Sequence, residues 1–191
     1  MKVAKPKLIE ELIRYTKDNL NQAEGFQRLN SQQLNWRPGP QQWSILECMD
    51  HLNRYGDFYL PEIDRRLQKA RPSTPKALFK SGWLGNYFAL SMLPKEPLNK
   101  MKTFKSMNSL GSTLDKSTLD KFIRQQKRTL DLLDQARTVD WTKTKTSISI
   151  SNFIKLRLGD TFRVVIYHNV RHLKQAQRVL QAAQQELTAI Q

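Results

Sequence analysis

The longest helical pattern in the chain lies in its last part, over residues 159–189. Its apolar residues recur mostly at intervals of three and four, which is the period of one helix face. They are Phe162, Val165, Ile166, Val170, Leu173, Ala176, Val179, Leu180 and Ala183. At about 1.5 Å per residue this helix would be about 45 Å long. It can bury its apolar face only against other long helices, so the sequence predicts a helical bundle.

Three further segments show the same period and predict helices one to three. Helix one covers about residues 6–29, helix two about 44–70 and helix three about 117–137. Ser44 and Glu47 have the spacing of a capping box, which indicates that helix two begins there. The prediction is an all-α four-helix bundle that forms a single domain over residues 1–191.

A long connection, residues 71–114, joins helices two and three and is rich in Pro, Gly and aromatic residues. A short helix at about 83–93 is expected within it, because Trp83, Tyr87 and Leu90 share a face. Ordered connections of this length are more often functional than idle. Alternating Thr, Ser and Ile residues after Trp141 fit either a short extended segment or a helical turn, and the sequence leaves both open.

The charge balance favours anionic partners but selects none in particular, since many of the cations are expected on solvated helix faces. The 191 residues include 32 Lys and Arg against 17 Asp and Glu, a formal net charge of +15, and the excess is most one-sided over residues 141–178. This charge attracts anionic substrates or polyanions, but no specific nucleic-acid motif is present. The single cysteine, Cys48, excludes an internal disulfide. With no apolar leader and no apolar run of membrane-spanning length, a soluble cytoplasmic protein is expected.

All three histidines lie on predicted long helices. His168 and His172 are four residues apart and project from adjacent turns of one helix face, a spacing that suits two imidazoles binding one ion. His51 lies on helix two, which a bundle can place opposite the pair. Three ligands would leave a coordination position open, as catalytic metal sites do. The alternative is three unconnected histidines that are bonded to backbone carbonyls or exposed.

Two motifs carry a family resemblance. LNWRP at 34–38, QWSILE at 42–47 and then His51 form the first, and YHNVRHLKQA at 167–176 forms the second. In this order the chain resembles the DinB superfamily, including the YfiT-like metal-dependent hydrolases, over nearly its whole length. The resemblance implies a four-helix bundle with His51, His168 and His172 as ligands of one divalent ion. Nickel or zinc is expected, with iron and manganese as further candidates.

Other residues near the expected ion have both functional and structural interpretations. Cys48 fits a fourth ligand or, better, a small core residue. Glu47 fits a partner that orients His51 or simply the capping box. Tyr55 and Gln175 fit contacts to a substrate or water, or ordinary core positions. Arg171 fits a weak contact to a substrate carboxylate.

The leading hypothesis is a metal-dependent enzyme in which the ion activates water or a low-molecular-weight thiol. Hydrolases and thiol S-transferases both occur among the proteins it resembles. The sequence has no general base placed as in HExxH, which favours thiol transfer slightly. One alternative is a non-catalytic basic protein that binds nucleic acid or an anionic surface, with a structural or vestigial metal site. Another is a sensing protein without turnover, and a homodimer is left open.

Overall fold

The computed structural model describes residues 1–70, 77–95 and 102–189. Its four long helices are α1 (Lys5–Phe26), α3 (Ile45–Lys69), α5 (Ser117–Gln135) and α6 (Leu158–Ala189). Helices α1 and α3 each pack against both α5 and α6. The all-α prediction is therefore confirmed, and the long helices form a four-helix bundle.

Two short helices complete the helical part that the structure describes. α2 (Ser31–Asn35) follows α1, which ends earlier than predicted, and α4 (Trp83–Met92) is the short helix expected in the long connection. Helix α2 was not predicted, although Asn30 and Gln33 form a capping box at its start. A 3-10 turn, Ala136–Thr138, replaces the predicted end of helix three.

Two antiparallel strand pairs lie against the bundle, and the second pair is a hairpin. β1 (Lys2–Ala4) pairs with β2 (Leu78–Lys80), and β3 (Lys145–Ile148) pairs with β4 (Ser151–Arg157). The segment after Trp141 is thus extended, which decides between the two alternatives that the sequence left open. Parts of the predicted long connection, residues 71–76 and 96–101, lie outside the described residues.

The buried interior contains two hydrophobic clusters, one toward each end of the bundle. One includes Leu12 of α1 and Trp141, and the other includes Phe26 of α1 and Leu52 of α3. The order in which each helix meets them shows that α3 and α5 run in the same direction, opposite to α1 and α6. A chain that leaves α3 must return along the bundle before it enters α5, which accounts for the long connection.

Between the two clusters each long helix contributes buried polar residues. Besides the histidines, they are Thr16 and Asn19 of α1, Asn53 of α3, Gln126 and Thr129 of α5, and Asn169 and Arg171 of α6. Buried polar groups are tolerated where they find hydrogen-bond partners, and Asn169 Nδ2 donates to Gln126 Oε1 at 3.3 Å. The middle of the bundle is therefore a polar layer.

Helix α3 begins where the sequence predicts. The Ser44 side chain accepts from the Glu47 amide, and the Glu47 carboxylate accepts from the Ser44 amide. The helix continues through Pro61 to Lys69.

In the described part of the chain, no helix combines the length and apolar character needed to cross a bilayer. The single domain, the cytoplasmic location and the dimer stay predictions.

Glu62 joins α3 to the β3–β4 hairpin. Burial alone would raise the pKa of its carboxyl, but hydrogen bonds from the Ser147 amide, Arg66 and Arg65 outweigh burial and lower the pKa to about 2. A carboxyl whose pKa is lower in the folded chain stabilises the fold fully above its ordinary pKa of 4.5. That contribution is lost as the pH falls through the folded pKa.

We expect Glu62→Gln to lower the free energy of unfolding near neutral pH by about 1–2 kcal/mol, because the charge-assisted hydrogen bonds are lost. Urea unfolding at a series of pH values measures this, and the difference from wild type should shrink as the pH approaches 2. Glu10→Gln, which removes an exposed carboxylate of α1, is the control. An equal loss in both variants would contradict the role of Glu62.

Gly159, at the start of α6, is packed too tightly for a side chain. A Cβ there would lie 2.7 Å from the Phe79 ring and 2.8 Å from the Trp141 ring. We expect Gly159→Ala to lower the free energy of unfolding by about 1–3 kcal/mol, because the buried rings must shift. Gly25→Ala in α1 meets nothing within 4 Å and should raise it by about 0.5 kcal/mol. Thermal unfolding of both variants measures the contrast, and similar effects would refute the packing argument.

Candidate metal centre

The contact between α3 and α6 brings the three histidines together in the polar layer. His51 of α3 is 2 % exposed, and His168 and His172 of α6 are each 9 % exposed. Their ring centroids lie 4.6–5.0 Å apart. When one ring nitrogen is taken from each histidine, the three nitrogens all lie within 4.8 Å of one another. Three histidines in this arrangement could hold a divalent metal ion.

Hydrogen bonds fix which nitrogen of two rings faces the shared space. His51 Nδ1 lies 2.7 Å from the carbonyl oxygen of Met107, and His172 Nδ1 lies 2.9 Å from Gln175 Oε1. Since these oxygens only accept, each Nδ1 carries a proton and each Nε2 keeps its lone pair. His51 Nε2 lies 3.2 Å from His168 Nε2. The lone pairs therefore point into the space between the rings.

The surroundings keep all three imidazoles neutral. Burial lowers the pKa of His51 to about 4, against a smaller opposing effect of its hydrogen bond to Met107. Burial also lowers the pKa of His168 and His172 well below the ordinary value. His51 and Arg171 lower both pKa values further, His172 adds to the effect on His168, and the hydrogen bond to Gln175 opposes the shift of His172 only in part. A neutral imidazole is the form that binds metal. The site is thus in its ligating form at neutral pH.

Two aromatic side chains enclose the histidines. The Trp43 ring lies 4.6 Å from the His51 ring and is stacked 5.6 Å from the His172 ring. On another side, the Tyr55 ring lies edge-on at 5.1 Å from His51 and 4.8 Å from His168. Burial raises the pKa of the Tyr55 hydroxyl, so this group stays protonated and can donate a hydrogen bond. Two aromatic rings therefore pack against the three histidines.

Part of the long connection is held along α3 beside His51. This segment, residues 105–111, begins with the 3-10 turn Lys105–Met107. Arg54 donates to the carbonyl of Ser106, and the Ser109 hydroxyl donates to Asp50 at 2.8 Å. These contacts hold the Met107 carbonyl where it accepts from His51.

Glu47 takes part in the same attachment. Its buried carboxylate accepts from the Gly111 amide at 2.5 Å, as well as from Arg37 and from the Ser44 amide. Burial alone would raise the pKa of this carboxyl, but these hydrogen bonds hold it below its ordinary value. Glu47 therefore anchors the segment that fixes His51, while the partner of His51 Nδ1 is Met107.

The other candidates fall in different places. Gln175 contacts His172, and Tyr55 faces two histidines, as described above. Cys48 is fully buried among apolar residues, and burial raises the pKa of its thiol. Among the described residues, the cluster of close metal-binding side chains contains histidines only. Arg171 is 6 % exposed, and burial lowers the pKa of its guanidinium.

Sequence reasoning missed two contributors to the site. Trp43 stands directly before the capping box and belongs to the first motif, so its position in QWSILE was the available signal. Met107 acts through its backbone carbonyl and lies in a connection without periodicity. Nothing in the sequence around Met107 indicates this role.

Comparison with known proteins agrees with this geometry. The family model of the DinB superfamily matches residues 13–176, which include all three histidines and both motifs. Neither the curated proteins nor the solved structures give a match to the chain. Since the matched region covers most of the chain and the described fold is helical, the protein belongs to the DinB superfamily.

Proposed function

We propose that this protein is a metal-dependent enzyme in which His51, His168 and His172 hold one divalent ion. The observation that carries the proposal is the convergence of three neutral imidazoles in a buried layer. A bound ion would lower the pKa of a water or thiol in its open coordination position and so supply a nucleophile. Imidazole ligands suit nickel, zinc and iron, and nickel or zinc is our first expectation.

The donor set fits such an ion and favours an anionic fourth ligand. Three imidazoles are uncharged, and the described part of the chain adds no carboxylate to their cluster. The charge of a divalent ion would therefore remain uncompensated in a buried site. A thiolate would compensate part of that charge and is a preferred ligand of zinc.

The surrounding groups favour thiol transfer over hydrolysis. Hydrolysis usually needs a general base that takes a proton from water. The carboxylates of α3 that are closest to His51 in sequence have other partners, since Asp50 accepts from Arg54 and Ser109, and Glu47 anchors the segment 105–111. Tyr55 is a donor rather than a base. We therefore propose transfer of a small thiol to an electrophilic carbon, with Tyr55 donating to the leaving group or to a substrate oxygen.

Metal content is the first test of this proposal. We expect chain produced without a polyhistidine tag to bind about one divalent ion, and His172→Ala to lose it, because two imidazoles bind such an ion far more weakly than three. Inductively coupled plasma mass spectrometry after dialysis measures the content. Gln184→Ala, at an exposed position of the same helix, should keep the ion. A wild-type chain that cannot be loaded with metal would refute the proposal.

Turnover is the second test. The metal-loaded protein should consume cysteine or glutathione in the presence of an alkyl halide or an epoxide, and thiol loss measures the rate. Tyr55→Phe should keep its metal and lower kcat by about three- to tenfold, because one hydrogen bond is lost. His172→Ala should be inactive. Loaded protein that hydrolyses esters but consumes no thiol would instead favour hydrolysis.

A further inference from the structure

The two strand pairs present cations from directly opposite positions. In the first pair, β1–β2, Lys2 lies opposite Lys80, while the inward residues Val3 and Phe79 contact the core. In the second, Lys145 pairs with Arg157. Like charges that face each other across strands destabilise a hairpin. This cost is offset when an anionic partner binds the outer faces.

The outer faces of the two strand pairs form one surface. Arg157 Nη1 donates to the backbone carbonyl of Lys80 at 2.6 Å, and the Lys80 amide donates to the Thr142 hydroxyl at 3.2 Å. Beside Arg157, Lys155 is exposed opposite Ser147. The cations of both strand pairs therefore lie side by side.

Helix α4 adds apolar side chains to this surface. Its outer residues Trp83, Tyr87 and Leu90 are 86 %, 62 % and 49 % exposed, and its inner face packs on α6. The first turn of α4 adjoins these strands, because it begins three residues after β2 ends and α4 contacts β4. A helix with apolar residues on all faces is normally buried on all faces. The exposed outer face of α4 is therefore expected to contact a partner.

Acidic residues are missing from the segments that build this surface. Residues 1–9, 77–95 and 142–159 contain no Asp or Glu. Asp160, which follows them, is fully buried and pairs with Arg163. We call the outer faces of β1–β2, β3–β4 and α4 the hairpin–α4 surface. It combines positive charge with exposed Trp, Tyr and Leu side chains.

We propose that the hairpin–α4 surface binds an anionic lipid bilayer. Lysine and arginine next to anionic headgroups are each worth about 1 kcal/mol, and Trp and Tyr favour the headgroup level of a bilayer. The ten residues of α4 form a helix about 15 Å long. A helix of this length can lie in the headgroup interface but is too short to cross the bilayer.

Two other occupants fit the surface less well. A single-stranded nucleic acid would stack on Trp83 and Tyr87, but it would leave Leu90 and the exposed Leu78 uncovered. A second copy of the chain would bring the same cations together, which opposes association. The mixture of aromatic, aliphatic and cationic side chains matches a bilayer.

Co-sedimentation with vesicles tests the proposal. We expect binding to vesicles that contain phosphatidylserine, little binding to pure phosphatidylcholine vesicles, and loss of binding with added salt. The emission of Trp83 should shift to the blue on binding, and Trp83→Phe should lose this shift. The Trp83→Gln/Tyr87→Gln variant should bind roughly tenfold more weakly. Because both positions are exposed, this variant should fold like wild type.

A pair of charge variants separates local charge from net charge. Lys145→Glu/Lys155→Glu should weaken vesicle binding at least about thirtyfold, since two cations at the surface are lost and two carboxylates replace them. Lys17→Glu/Lys127→Glu changes net charge equally at exposed positions of α1 and α5 and should bind almost as wild type. Equal loss in both pairs, or tight binding of single-stranded RNA without binding to vesicles, would overturn the proposal. The His172→Ala variant should still bind vesicles. Vesicle binding is therefore tested independently of metal binding.

Discussion

The packing of α3 on α6 determines the geometry of the candidate metal centre. It places His51 Nε2 3.2 Å from His168 Nε2, with His172 one turn further along α6. The hydrophobic clusters on both sides fix the two helices relative to each other. Because the centre lies in the polar layer between these clusters, changes in either cluster would reach it through the helix positions. Fold and site therefore depend on the same contact.

The orientation of the histidines depends on a second level of contacts. The Met107 carbonyl sets the tautomer of His51, and Gln175 sets that of His172. Partners of this kind fix ring orientation and ligand basicity in metal sites. Glu47 shows that one carboxylate can serve both the fold and the site, since it caps α3 and holds Gly111. The capping and the orienting interpretations of Glu47 are thus connected through the segment 105–111.

Local periodicity and capping were sufficient to predict the long helices, α4 and the start of α3. The histidine spacing and the motif around Trp43 pointed to the same three side chains that the fold brings together. The pairing of β1 with β2 was not predictable, because strands of three residues carry little pattern and their partners are far apart in sequence. The role of Met107 was hidden for a similar reason, since a backbone carbonyl leaves no trace in residue type.

The position of Trp43 gives the chain a built-in optical signal. Its indole lies within 6 Å of the rings of His51 and His172. Ions with unpaired electrons quench an excited indole over such short separations, whereas zinc has a closed shell and does not. Occupancy by nickel and occupancy by zinc would therefore differ in the brightness of the protein itself, and the identity of a bound ion could be followed without any added dye.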